Sequence, residues 1–290
     1  MLATKKKIAM KCAKRGPSWR LRAAGCAAAA FVFATEATHA QMPQMGEFSG
    51  YQRLDRAQVL ARLAAATPAA AADLRSTNLS NLDLARVDFK RADLTAAVMN
   101  GANLAGANLS GCNLTVSFAE RANLREADLR GAQMFSMQLG GADLRGANLT
   151  GARFIGDLRH ADLRGANLQK LDGAADMKNQ SMGLMHAVIS SADLQGADLH
   201  EADLSRADLS FTSLAGADLH GARIFGGDFS GASLAKANLA GADLRESTFI
   251  DTDFSGADLT GADLTGSVLR NVRGLETAKR AGAKGLPAER

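Results

Sequence analysis

The sequence predicts an all-β solenoid, and three observations carry that prediction. An apolar residue recurs every five positions, as in "ADLSRADLSFTSLAGADLHG" (202–221), where Leu stands at 204, 209, 214 and 219. A small residue, usually Ala, stands two positions before each of these centres. The prolines are Pro17, Pro43, Pro68 and Pro287, so none falls between Ala69 and Leu286, as expected where backbone N–H groups are committed to a ladder.

A period of five suits neither regular element. On an α-helix successive centres would drift by about 140° and smear round the cylinder. On a straight strand an odd period would send them to alternate faces. The period works if the chain turns a corner after every unit. Each unit then points its centre and the preceding small residue inward, and stacked coils bury a continuous column. Gly closes many units, which suits a corner with unusual φ.

The first 40 residues stand apart. They carry eight Lys/Arg and one acid, Glu36, a net +7 against +4 for the chain, so the remainder is −3. A basic stretch to Arg22 is followed by the apolar run "AAGCAAAAFVFA" (23–34), and then by small residues at Thr38 and Ala40. That order is the one of a secretory signal peptide removed before Gln41, and it predicts an exported, periplasmic or secreted protein. An organellar transit peptide or an Ala-rich basic helix has similar composition. The run is shorter than the ~18 residues of a membrane span, and no other approaches that length. Of Cys12, Cys26 and Cys112, only Cys112 would remain after cleavage, which excludes an internal disulfide.

Residues 41–71 read as a linker and a capping helix. "RLDRAQVLARLAAA" (53–66) places Leu54, Ala57, Leu60 and Leu63 at helical spacing, with Val59 beside Leu60, Asp55 near the start and Pro68 past the end. Such a helix would cover the open edge at one end of the solenoid.

Residues 72–271 hold the repeat. Its centres run from Leu74 through Phe89 and Met99 to Leu114, weaken at Ala119, resume from Leu124 to Phe154, and run clean from Ile189 to Leu269. Between them the phase slips: "DLRH" (157–160) is one residue short, and "QKLDGAADMKNQSMGLMHAV" (169–188) loses register. We therefore expect an irregular coil at 157–186. Residues 272–290 leave the repeat; Val272 and Leu275 are expected to cap the last coil ahead of a basic, fraying tail.

The unit A-(D/N)-L-x-x, seen as "ANLAG" (102–106), "ADLRG" (142–146), "ADLHE" (197–201) and "ADLTG" (257–261), resembles the pentapeptide-repeat family over about 72–271. Periodicity alone leaves open whether a coil has three or four sides. The resemblance implies a right-handed quadrilateral β-helix, with four units, or twenty residues, per coil. Residues twenty apart then stack at about 4.8 Å.

Little supports catalysis. Ser and Asp are everywhere, so a Ser–His–Asp trio can be drawn without meaning, and no phosphate loop, H-E-x-x-H or paired C-x-x-C occurs. We expect no enzyme activity and no cofactor. The sequons at Asn78, Asn108, Asn113 and Asn148 follow from the repeat itself. On twenty-residue coils His200 and His220 stack, with Asp198 and Asp218 beside them. Two imidazoles and two carboxylates are ligands for a borderline metal, but a solvated ladder accounts for the same residues, so no metal site is assigned.

Two surfaces are candidates for a partner. Phe135 and Ile155 occupy outward positions twenty apart, and Met177, Met182 and Met185 lie where they could cover them. This is either a phase slip patched by its own apolar residues or a docking patch. The second surface is acidic. Residues 72–156 carry +1, but 187–271 carry five Lys/Arg against thirteen Asp/Glu, and Asp198, Asp218 and Asp258 recur in one column.

The sequence thus points to an exported, non-enzymatic scaffold that binds a protein, with no affinity for nucleic acid, since its basic charge lies in the leader. The alternative is a cytosolic DNA mimic acting on a topoisomerase such as gyrase, which the acidic column resembles in part. A third reading, a metal-binding or enzymatic role, rests on the His200/His220 face alone.

Overall fold

The computed structural model describes residues 50–67, 69–89, 91–175 and 185–287. These residues lie within one compact unit, Glu47–Arg290. From Asp73 onward they wind as a β-helix in which parallel bridges join residues twenty apart. Asp73 pairs Asp93, Asn78 pairs Val98, Asp83 pairs Asn103 and Asp88 pairs Asn108, and the four series continue coil after coil.

One unit shows why the sequence takes this course. In 92–96 the Ala92 N–H donates to Phe89 O and closes the turn, and Asp93 N–H donates to Ala72 O in the coil before. Leu94 N–H and Ala96 N–H donate to Asn113 O and Thr115 O in the coil after. The fifth, Thr95 N–H, donates to the Asp93 carboxylate at 3.0 Å. All five donors are used, which excludes proline. The last also explains the Asp/Asn position, whose side-chain oxygen receives the N–H two residues on, as in an Asx turn. Asn78 and Asn148 do the same, so the sequon asparagines have a structural task. The corner residue has positive φ, +64° at Gly101 and +58° even at Val116. With the i→i+3 bond this is the pattern of a type II turn.

Every centre from Leu74 to Leu264 is buried, as is the small residue before most of them. Most of the β structure is single bridges between turns. Longer pairings occur in three places. β1 (Gln52–Arg53) pairs β2 (Thr77–Asn78), β3 (Gln133–Gln138) pairs β4 (Arg153–Asp157), and β5 (Thr248–Ile250) pairs β6 (Val268–Arg270), all parallel.

Among the described residues the one α-helix is α1, Arg56–Ala65. Asp55 caps it: its carboxylate accepts from Gln58 N–H, and the Gln58 side chain accepts from Asp55 N–H, a reciprocal capping box. Leu54 and Val59 take the positions of a hydrophobic staple around that cap, and both join the core with Leu63. The buried face therefore runs through Val59 and Leu63. Leu60, which the helical spacing placed on it, is 41% exposed.

Pairing also runs further at the C-terminal end than the repeat suggests. Asp258 bridges Lys279 and Asp263 bridges Lys284. The register there is twenty-one residues, and that extra residue hides the last coil from a five-residue pattern. Val272 and Leu275 pack partly buried against the core, as do Ala283 and Leu286.

The phase slips are absorbed coil by coil. The segment 157–175 keeps unit geometry, with Asp143 bridging Asp162 and Arg153 bridging Asp172, nineteen residues apart. Where β4 is one residue short, Gly156 lies so close to the previous coil that a Cβ would sit 2.3 Å from Met137 O. Met137 fills the core at an inward position normally given to Ala. At 171–173 the sizes are exchanged: Leu171 takes the small position and Gly173 the centre. A Cβ on Gly173 would meet Leu204 Cδ2 at 2.7 Å and Phe154 O at 3.3 Å, so the glycine makes room for the Leu204 side chain of the next coil. Asp157 then bridges Val188 and Asp162 bridges Asp193, a register of thirty-one. The surplus falls in the sequence between Asp172 and Val188, where 176–184 lie outside the described residues, and the bridge series continue on either side.

Candidate functional site

The outward side chains fall into two kinds. In the first half of the solenoid, through Arg164, Asp73, Asp128, Asp143, Asp157 and Asp162 are each followed two residues later by Arg, and the two pair within the unit. Arg130 Nε donates to Asp128 at 2.8 Å, and Arg145 and Arg164 treat Asp143 and Asp162 alike. These arginines hold the carboxyls of Asp128, Asp143 and Asp162 below the ordinary range, and Arg75 lowers Asp73 to about 2. In the second half only Asp243 has such a partner, Arg245. Asp203, Asp208, Asp228 and Asp253 are followed instead by a Ser that donates its hydroxyl and its N–H. The charge difference between the halves has two parts: nine Lys/Arg over 72–156 against five over 187–271, and eight acids against thirteen, with Asp at most Asx positions of the second half where Asn is common in the first. Both parts are visible in the sequence.

Asp198, Asp218 and Asp258 do stand on one ladder, joined through Asn238. Each is engaged: Gln169 donates to Asp198, Asn238 Nδ2 to Asp218 at 2.9 Å, and Lys279 Nζ to Asp258 at 3.1 Å. The side-chain hydroxyl and N–H of Thr260, then Lys279, lower Asp258 to about 2.

Phe135 and Ile155 are register partners across β3 and β4. Phe135 is half-buried, but Ile155 is only 1% exposed. The pair is therefore not an open apolar patch, because the shortened coil draws Ile155 in. Met185 is half-buried; Met177 and Met182 lie outside the described residues. Three features escaped the sequence reading. Phe211 is 69% exposed at a corner with φ +58°, and the missing Cβ of Gly231 leaves room for its ring. Arg206 and Arg245 each place a guanidinium 5.8 Å from the Phe225 ring. A shallow cavity of about 280 Å³ opens beside Phe225, Arg206 and Ala174.

His200 and His220 stack with ring centroids 5.2 Å apart and planes 6° from parallel. Among the described residues no group of three or more His, Cys, Asp or Glu is placed to hold a metal. Asp198 and Asp218 turn toward the backbone N–H groups of the two histidines, which takes them out of a four-ligand set. None of the described residues forms a helix long and apolar enough to cross a membrane.

Cys112 takes the place of the small inward residue. Burial pushes its thiol up to about 12, so the reactive thiolate is scarce in the folded chain. In protein lacking residues 1–40 we expect maleimide to label this thiol only on global opening. A labelling rate that tracks urea unfolding supports this; rapid labelling of native protein would contradict it.

The family described as pentapeptide repeats matches this chain in eight copies, across residues 72–111, 102–135, 138–172, 184–221, 192–231 and 227–266. Among solved structures, the chain is similar to HetL, a pentapeptide repeat protein involved in heterocyst differentiation regulation from the cyanobacterium Nostoc sp. strain PCC 7120. The identity is 26%, covering 79% of this chain and 96% of that one, with a TM-score of 0.38. It is also similar to QnrB1, a plasmid-mediated fluoroquinolone resistance protein, at 20% identity, covering 70% and 86%, with a TM-score of 0.44. No curated protein matches the chain.

Proposed function

The chain belongs to the pentapeptide-repeat family, and from that premise we propose an exported, non-enzymatic scaffold whose acidic half docks a cationic protein segment. The observation that carries this reading is the use of side chains in the unit. The fold consumes the two inward residues, the Asx oxygen and every N–H, and leaves the remaining outward positions free to vary, which is how solenoids serve as binding surfaces. In 187–271 the chain carries thirteen acids against five bases; ten of the acids are Asp at the Asx position, where one carboxylate oxygen takes the N–H two residues on and only Asp243 has an in-unit arginine. The closure of Ile155 moves weight from the Phe135/Ile155 patch to this half.

The domain scheme follows: a signal peptide over 1–40, a linker and α1 as N-terminal cap over 41–71, a four-sided β-helix over 72–271, and a C-terminal cap from 272. Each bridge series would form one side. The second reading, a cytosolic DNA mimic, uses the same carboxylates. Asn238 and Lys279 interrupt its column.

Two measurements test the proposal. N-terminal sequencing of the protein from its own host should begin at Gln41; an intact Met1 or Met10 terminus removes export and favours the second reading. A partner captured in that host should dissociate as salt rises, because exposed charges are screened over about 8–10 Å. It should also be lost when Asp198, Asp218 and Asp258 are changed to Asn. A partner that survives both treatments ends the acidic-face reading.

A further inference from the structure

We propose that Phe211 is the seat for an arginine side chain of a protein partner, with the carboxylates of Asp208 and Asp228 beside it. The proposal rests on the reading that the acidic half docks a cationic protein segment, and it places one residue of that segment. Phe211 is the most exposed large apolar side chain among the described residues, at 69%. It takes no part in the buried core. It also stands at a corner with φ +58°, a region that bulky residues rarely adopt. Among the described corners with positive φ, no other carries Phe, Tyr or Trp. The fold thus bears an unfavourable backbone and an exposed ring at one place, and backbone outliers of that kind cluster at ligand sites.

The ring is seated by an edge. Its Cδ1 and Cε1 lie 2.6 and 2.7 Å from where a Cβ of Gly231 would stand, so the next coil holds the ring and leaves a face open. Asp208 precedes Phe211 in its own coil, and Asp228, which bridges Asp208, precedes Gly231 in the next. Each carboxylate spends Oδ1 on its unit, where it accepts from the N–H and the hydroxyl of Ser210 or Ser230. Among the described residues neither is in an ion pair, so both keep a charged oxygen for a partner.

The same chain shows what an outward ring accepts. Phe225 has the guanidinium groups of Arg206 and Arg245 each 5.8 Å from its centroid, within the ~6 Å of a cation–π contact. No cation of the described residues stands over Phe211, and the acids of 187–271 outnumber the bases by thirteen to five. The missing cation is therefore one that a partner brings. Arginine fits better than lysine, because its planar guanidinium stacks on the ring while its fork of N–H groups meets the carboxylates.

The test uses the full chain and two end-blocked peptides of equal length, one of alternating Gly and Arg and one of alternating Gly and Lys, at low salt. Titrations followed by nuclear magnetic resonance should show the arginine peptide binding about three- to fivefold more tightly, the range for one exposed cation–π contact. Its side-chain methylene protons should move upfield under the ring. Phe211→Leu should abolish the preference and the upfield shift, and Phe211→Tyr should keep both. Changing Asp208 and Asp228 together to Asn should weaken the arginine peptide roughly threefold. Asparagine keeps the turn, as Asn78 and Asn148 do, so that loss reports charge alone. Circular dichroism checks that the variants fold. Equal affinity for the two peptides, a preference that survives Phe211→Leu, or binding unchanged by the Asn variant would overturn the seat and leave charge-driven docking through Asp198, Asp218 and Asp258 standing. Failure of both peptides to bind would overturn the two readings together.

Discussion

Leu204→Asp should unfold several coils of the solenoid, not one unit. Leu204 is fully buried. Its column neighbour on one side is Gly173, whose missing side chain it crowds, and its N–H is tied to Arg223 O on the other. A carboxylate here has no cation within the column, which is built of Leu, Ile, Phe, Met and Ala. Burying it uncompensated costs several kcal/mol, comparable with the whole stability of an ordinary domain. The damage spreads because each coil is held by its neighbours: Asp203 N–H reaches back to Leu171 O while Leu204 N–H reaches forward. Amide exchange should show protection lost on both sides of residue 204, and the urea midpoint should fall. Val268→Asp, on a side chain 46% exposed, should change stability by no more than about 0.5 kcal/mol. If both variants melt like the parent protein, the buried column is not what holds the fold.

The sequence shows the column because the period is short and strict. A five-residue phase contradicts both helix and strand, and each inward position is read directly from the Leu and Ala it demands. The adjustments were harder to see because they are made between coils, not along the chain. Gly156 and Met137 are nineteen residues apart, yet the loss of volume at one is matched by the gain at the other. Leu171 and Gly173 exchange sizes within a unit, so a search for apolar centres loses phase at Gly173 although the backbone continues. The same holds for Leu60, where the turn of α1 is set by the Asp55 cap, and spacing alone cannot distinguish it from Val59. Of the candidate surfaces, the stacking of His200 on His220 and the alignment of Asp198, Asp218 and Asp258 were legible once twenty residues made a coil. The closure of Ile155 was not, because it depends on a one-residue shortening whose position in space the sequence does not specify.

Gly156→Ala should be among the most damaging single-methyl additions in the chain. A Cβ at this position would lie 2.3 Å from Met137 O, 3.0 Å from Met137 N and 3.2 Å from Met137 C. All three are backbone atoms, so no side-chain rotation relieves the overlap. The two coils must separate, and separation stretches the pairing of β3 with β4 at the point where its register already shifts, between Phe135 and Met137. Overpacking that moves backbone costs typically 1–3 kcal/mol and sometimes more; we expect about 3 kcal/mol here. The comparison that isolates the cause is Gly151→Ala. Gly151 has nothing within 4 Å of a built Cβ but has φ +63°, so its substitution carries only the left-handed cost of roughly 1–2 kcal/mol. For a domain of this size each kcal/mol moves the melting temperature by about 2–4 °C. Gly156→Ala should therefore melt roughly 6–12 °C below the parent and clearly below Gly151→Ala. In the Gly156→Ala background Val188→Ala, in the next coil on the side away from Met137, should restore nothing, and Met137→Ala should not rescue it either, since the clash is with backbone and not with the thioether. Rescue by Met137→Ala would show that side-chain volume, and not the approach of the two coils, sets the limit.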